Sequence, residues 1–427
     1  FYLLSLKCLF KKFGEFMEQL DLNFVRSHFP AFSEEKLKDK AFFENAGGSY
    51  MCKQVIERFD RYFKQRKVQP YGFYEASALA GEEMDSARAR MAEYLNVNTD
   101  EVLFGPSTSQ NTYVLAQSFL ENMNESDEII VSDQEHEANA GAWHRMSKRG
   151  IKVKVWQIET DTGSLNIKDL EKLITPKTKF IAVTHCSNIV GEINEIREIS
   201  KIAQNNGSLL IVDGVSYCPH GLPDVNELGA DIYFFSAYKT YGPHQGVMVI
   251  RQKAKQALTN QSHFFNSKYS DKFMVPAGPD HAQVAACNGI IDYFDAVYEH
   301  HLQENGEHNK HKKPKIVAKL FREHEIKLLK PLLDYFRGNE KTRLLGPGDN
   351  VLRAPTVAFT VKNKNSSEIA NQLNEYNIMA GAGDFYAVRP LKALGINPED
   401  GVVRLSFVHY TSMEEINMLL NALEEII

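Results

Sequence analysis

Between Val102 and Ile250 the chain repeats one pattern: a short apolar run, a turn rich in polar residues, and then apolar residues at helical spacing. The runs are Val102–Phe104, Glu128–Val131, Val153–Trp156, Phe180–Thr184, Leu209–Asp213 and Ile232–Phe235, and Val247–Ile250 closes the series. Runs this short and this apolar suit strands covered on both faces, and their alternation with helices implies parallel βαβ units with right-handed crossovers. The carboxyl ends of such strands gather on one edge of the sheet, where ligands of open α/β sheets bind. His136, Asn188, Asp213 and Lys239 stand at or just after such ends. The expected fold class is therefore α/β, a large and mostly parallel sheet domain with a smaller α/β domain after it.

These positions suggest chemistry. Lys239 lies on the connection between two apolar runs and is flanked by Tyr238 and Tyr241. Partial desolvation there would disfavour the ammonium and free the amine to attack a carbonyl; a plain surface lysine on a hairpin is the alternative. Pro106-Ser107-Thr108-Ser109 leads from a strand into a helical pattern, so Thr108 and Ser109 could hold an anion at a helix start or simply cap the helix. An amine, a buried carboxylate at Asp213, a ring at His136 and hydroxyls at a helix start together suit pyridoxal 5′-phosphate. That cofactor needs a lysine for its aldehyde, an acid for its pyridine nitrogen, a flat group on its ring and a cup for its phosphate.

Composition narrows the partners. The 427 residues carry a formal net charge of −6, which leaves no basic excess for nucleic acid. The five cysteines are scattered without a CxxC pair, as in a reducing cytoplasm, and support neither a zinc site nor a disulfide framework. Phe1–Phe10 is apolar but lacks the charge order of a signal peptide and the length of a membrane span, so residues 1–16 read as a peripheral extension or an upstream artefact. Residues 21–40 look helix-like, and the histidines at 300, 301, 308 and 311, set among lysines, read as a solvated linker rather than a metal site. A long helical pattern from Ile316 to Phe336 should break or kink before Pro331. The expected division is an N-terminal extension and helix (1–40), a large cofactor-binding domain (41–310) and a small C-terminal domain (311–427).

Several segments, in this order, carry a family resemblance: Glu44-Asn45-Ala46-Gly47-Gly48, Pro106 to Ser109, Glu135 to Asn139, Ser187-Asn188 with Gly191, Asp213-Gly214, Pro219-His220-Gly221, Ser236 to Gly242, and Arg404-Leu405-Ser406 with His409-Tyr410. The set resembles the class V aminotransferase family of fold-type I pyridoxal-phosphate enzymes, in particular its cysteine desulfurase-like branch. The resemblance implies that Lys239 is the Schiff-base lysine and proton carrier, that Asp213 pairs with the pyridine nitrogen, and that His136 stacks on the ring. It implies Thr108, Ser109 and Ser236 at the phosphate, Asn188 beside the ring hydroxyl or substrate, and Arg404 as a clamp for the carboxylate of a small amino acid. It also implies a homodimer, with residues near Gly278 and in the loop Tyr71–Tyr74 reaching a neighbouring site. The chain departs from the pattern at four places. Tyr238 and Ser216, both expected at the cofactor, replace a histidine and a glutamine; Gly278-Pro279 lacks a hydroxyl; and the loop Ala380–Arg389 has no cysteine where desulfurases carry the sulfur acceptor. The implied reaction is desulfurase-like carbon–sulfur cleavage or related lyase chemistry without that cysteine. Aminotransferase or epimerase activity, or a non-catalytic cofactor-binding role, are the alternatives.

Overall fold

The apolar runs pair edge to edge in the computed structural model, which describes residues 19–302 and 312–427. In chain order the strands are β1 (Ala41–Phe42), β2 (Val102–Gly105), β3 (Glu128–Ser132), β4 (Lys152–Trp156), β5 (Thr178–Thr184), β6 (Leu209–Asp213), β7 (Ile232–Ser236), β8 (Gly246–Ile250), β9 (Thr342–Leu344), β10 (Thr356–Val361), β11 (Ile378–Met379), β12 (Gly381–Gly383) and β13 (Val402–Ser406). The main sheet has the order β2-β8-β7-β6-β5-β3-β4. β8 runs antiparallel to both of its neighbours, and every other pair in the sheet is parallel. The nine residues from Ala237 to Gln245 between β7 and β8 are too few for a crossover helix, so the chain can only turn back.

Side chains alternate along each strand, so one strand feeds two cores. From β5, Ile181 and Val183 join the layer that contains Val55, Ile290 and Phe294, while Phe180 and Ala182 join Phe119 and Trp143 on the other face. Each such side chain taken fully from water stabilises the fold by roughly 1.5–3 kcal/mol. Covered on both faces, the sheet can hold its carboxyl edge rigid.

A second sheet, β12-β13-β10-β9, is antiparallel throughout, and β1 pairs in parallel with β11 beside it. The helices Ser366–Glu375 and Met413–Ile426 and the end of Lys312–Gly338 cover this layer through Ile369, Leu373, Ile416, Leu419 and Leu332. Ser412 and Glu415 form a reciprocal capping box at the start of the last helix. Ala41 and Phe43 pack in the same layer, so the chain enters the C-terminal unit at residue 41 before it builds the large sheet.

Three expectations are corrected. Residues 21–40 hold only a short helix, Leu22–Arg26, and a turn at Pro30–Ser33; Pro30 keeps Phe29 extended and ends any longer helix. Lys312–Gly338 runs unbroken through Pro331. His300 and His301 are not linker residues: His300 stacks on Phe24 with centroids 3.7 Å apart, and the His301 ring accepts from the Asp21 amide at 2.8 Å. They dock the first described segment. The expectations for residues 1–16, His308 and His311 fall outside the described residues. Among the described residues, no helix is long and apolar enough to cross a membrane.

Candidate active site

One cavity of about 230 Å³ opens at the carboxyl edge of the main sheet, and its lining includes Thr108, Ser109, His136, Asn188, Asp213, Ser216, Ser236, Tyr238 and Lys239. The nine residues are spread over 132 positions of sequence yet meet because each follows a strand end. Arg404, the tenth expected residue, does not line the cavity; it lies behind Asn188 and donates to that residue's carbonyl at 3.3 Å.

Lys239 ends a short 3₁₀ turn, Ala237–Lys239, immediately after β7. It is buried, not a surface lysine, and burial with help from the Arg404 charge pushes its amine down to about 8, against the pull of Asp213 and Glu44. Asp213 closes β6; burial pushes its carboxyl up to about 6, opposed by the Val215 amide, which donates to Oδ1 at 2.8 Å, and by Lys239. The site therefore holds a depressed amine and a raised carboxylate in one enclosure, the pattern of groups tuned for proton transfer.

His136 caps the helix Glu137–Arg145, its Nδ1 accepting from the Ala138 amide at 3.0 Å. Burial, then the charges of Lys239 and Arg404, push the imidazole down to about 3, so the ring is neutral with its proton on Nε2. Glu135 immediately precedes this histidine. It is 1% exposed, accepts from the Thr184 amide at 2.6 Å and from Asn139 at 2.7 Å, and is bonded to Ser132, which ties the ends of β3 and β5 together.

At the helix Thr108–Leu120, Ser107 is the cap, its Oγ accepting from the Gln110 amide at 3.2 Å. That leaves the Thr108 and Ser109 side chains free of the capping task. Thr108 Oγ1 and Ser236 Oγ stand 2.8 Å apart, which joins the helix start to the end of β7. Hydroxyls and free amide groups at the positive end of a helix make a cup for an anion.

Arg404 is 2% exposed on β13. Its guanidinium reaches Glu44 Oε1 at 2.6 Å, and the Phe385 ring covers it with the centroid 3.7 Å from Cζ. Nε of Arg404, Oε2 of Glu44 and Oδ1 of Asn188 are buried with no hydrogen-bond partner, so the cluster has capacity for a further polar group. Phe385 and Tyr386 both adopt left-handed backbone (φ 50° and 56°), held by the Asn188 side-chain Nδ2 donating to the Phe385 carbonyl at 3.1 Å and the Glu137 backbone amide donating to the Tyr386 carbonyl at 2.8 Å. Such conformations cost about 1–2 kcal/mol per residue and persist only where other contacts enforce them. The loop that lacks cysteine is thus an anchored cover over Arg404.

Sequence reasoning missed four of these groups. Glu44 sat in a quoted motif without a role, although Gly47 was a clue: a Cβ there would lie 2.6 Å from Glu44 Oε1. Phe385 needed the loop fold, Glu135 the strand pairing, and His244, which also lines the cavity, had no signal beyond its place after Gly242-Pro243.

This fold and this cluster define a class of protein. The chain belongs to the class V aminotransferase family, which it matches over residues 41–419. Among curated relatives it is 33% identical to the aminotransferase-like protein FGM3 of Gibberella zeae, over 94% of this chain and 98% of that protein. It is 32% identical to the cysteine desulfurase-like protein ustD of Aspergillus flavus, over 96% of this chain and 91% of that protein. The fold is that of the apo cysteine desulfurase from Thermococcus onnurineus NA1, with a TM-score of 0.82 at 24% identity over 96% of this chain and 98% of that one. The family is one of pyridoxal-phosphate-dependent enzymes.

Proposed function

We propose that the chain binds pyridoxal 5′-phosphate at Lys239 and acts on a small amino acid as a desulfurase-like or related lyase that uses no protein cysteine as acceptor. The observation that carries this reading is the single cavity lined by the Lys239 amine, the Asp213 carboxylate, the neutral His136 ring and the hydroxyls of Thr108, Ser109 and Ser236. The donor set fits the cofactor group for group. When bound, the cofactor supplies an aldehyde and an electron-withdrawing ring.

This chain's residues do the rest. Lys239, depressed to about 8, offers a free amine and then holds or returns the proton at the substrate α-carbon. Asp213 would hold the cofactor's pyridine nitrogen with its negative charge, and the neutral His136 ring would hold its flat face without bringing a competing cation. Arg404 binds the substrate carboxylate in its fork, with Asn188 beside it. To do so it exchanges at least part of its contact with Glu44.

The missing acceptor separates this chain from ordinary persulfide chemistry, which needs an accessible thiolate. Among the described residues the cysteines Cys52, Cys186, Cys218 and Cys287 are all buried, and burial pushes the Cys52 and Cys186 thiols up to about 12. With no thiol acceptor, sulfur therefore leaves at the sulfide level by β-elimination, with pyruvate and ammonia as the other products. The aminotransferase-like relative at 33% identity favours amino transfer as a second reading. Incubation of the cofactor-loaded protein with cysteine, with sulfide and alanine or pyruvate measured against amino transfer to a keto acid, decides between them. Sulfide with equal pyruvate, no alanine and no persulfide on the protein is the expected result; keto-acid-dependent transfer with no sulfide supports the second reading.

A homodimer in the reducing cytoplasm is part of the same proposal. Phe73, Tyr71 and Tyr74 on one loop and Phe264 and Phe265 on another are exposed aromatic side chains that a second copy would cover. Light scattering should give twice the chain mass; a monomer at micromolar concentration would contradict it.

A further inference from the structure

The turn that returns from Lys239 to β8 carries an imidazole no expectation assigned. His244 lines the cavity, and its ring lies on Tyr238 with centroids 5.0 Å apart and planes 10° from parallel. Neither of its nitrogens has a hydrogen-bond partner among the described residues. The turn itself is pinned. The Ala237 amide donates to the Gln245 carbonyl at 2.8 Å, the Gln245 amide donates to the Pro243 carbonyl at 2.8 Å, and the Gln245 side chain donates to the Gly105 carbonyl.

Gly246 then presses directly on the start of the helix Thr108–Leu120. A Cβ at that glycine would lie 2.6 Å from the Ser107 carbonyl carbon and 2.9 Å from the Thr108 nitrogen, so only glycine permits the approach. His244 is two residues from that contact. It is thereby carried to the hydroxyl end of the cavity, where Thr108 and Ser236 meet. Arg404, Glu44 and Phe385, which would face a substrate carboxylate, form their own cluster, held by the Arg404–Glu44 pair and the Phe385 ring over the guanidinium.

On the reading proposed above, we infer that His244 donates a hydrogen bond to the cofactor phosphate, with Tyr238 setting the plane of its imidazole. The position before the lysine, where a histidine is expected from the resemblance, is held by Tyr238, and the imidazole arrives from the other end of the same turn. An imidazole N–H to a phosphate oxygen is a charge-assisted bond, and the stacked phenol restricts the ring to few rotamers, so little entropy is lost when the bond forms.

The test separates phosphate from ring. Cofactor-free wild type, His244→Ala and His244→Gln are titrated with pyridoxal 5′-phosphate and, separately, with pyridoxal, followed by absorbance, with circular dichroism to verify folding. His244→Ala should weaken pyridoxal 5′-phosphate at least about tenfold and leave pyridoxal unchanged, while His244→Gln, which keeps an N–H donor, should lose less. Unchanged affinity for pyridoxal 5′-phosphate in His244→Ala, or equal weakening for both ligands, overturns the inference. Failure of the wild type to bind pyridoxal 5′-phosphate at all instead overturns the functional proposal on which it rests.

Discussion

Lys239→Ala is expected to lower turnover at least about a thousandfold, because on the proposed function one side chain is both the nucleophile toward the cofactor and the proton carrier for the substrate. The fold should survive. Burial disfavours the ammonium of Lys239, so removing it takes nothing from the core, and the melting temperature should hold or rise. The same depression predicts a pH dependence. With the folded amine at about 8 and an ordinary lysine at 10.5, roughly a tenth of the amine is neutral at pH 7, against about one part in three thousand unperturbed. Capture of the cofactor by wild type should therefore rise about tenfold per pH unit below 8 and level off above it. The linkage has a definite sign: between about 8 and 10.5 the unfolded chain binds more protons at this lysine than the folded one, so the cofactor-free protein gains stability as pH rises through that window. Lys239→Ala should lose that part of the pH profile. A variant that keeps even a tenth of wild-type turnover would remove Lys239 from the chemistry.

Asp213→Asn is expected to cost about 10²–10³-fold in turnover while cofactor capture stays at least as fast as in wild type. Asparagine keeps the oxygen that accepts from the Val215 amide at 2.8 Å, so the loop after β6 should hold its shape. What is lost is the charge under the ring nitrogen. Asp213 also favours the protonated form of Lys239, so its neutralisation lowers the lysine further and leaves more free amine at pH 7. Slower capture with unchanged turnover would reverse the assigned roles. In wild type, Asp213 is pushed up to about 6, so turnover should fall as pH drops through that value and the carboxylate is protonated.

The parts of the fold legible in the sequence were those decided locally. Apolar runs of three to five residues located β2 to β8, and the rule that parallel strands deliver their carboxyl ends to one edge placed His136, Asn188, Asp213 and Lys239 together. Ser216, Tyr238 and Ser236 followed because they stand beside those ends. Reasoning along the chain failed where the partner lay far away. Glu44 meets Arg404 across 360 positions, and His301 binds Asp21 across 280, pairings that no periodicity encodes. Pro331 was misread because a long helix packed along its length can absorb one missing hydrogen bond. The left-handed Phe385 and Tyr386 were invisible because two bulky residues adopt that backbone only when Asn188 and Glu137 hold their carbonyls.

Reduction with borohydride after incubation with pyridoxal 5′-phosphate, followed by peptide mass mapping, bears most directly on the central claim. A single stoichiometric pyridoxyl adduct on Lys239, absent from Lys239→Ala, is the predicted result. No adduct, or adducts spread over surface lysines with Lys239 unmodified, would contradict it.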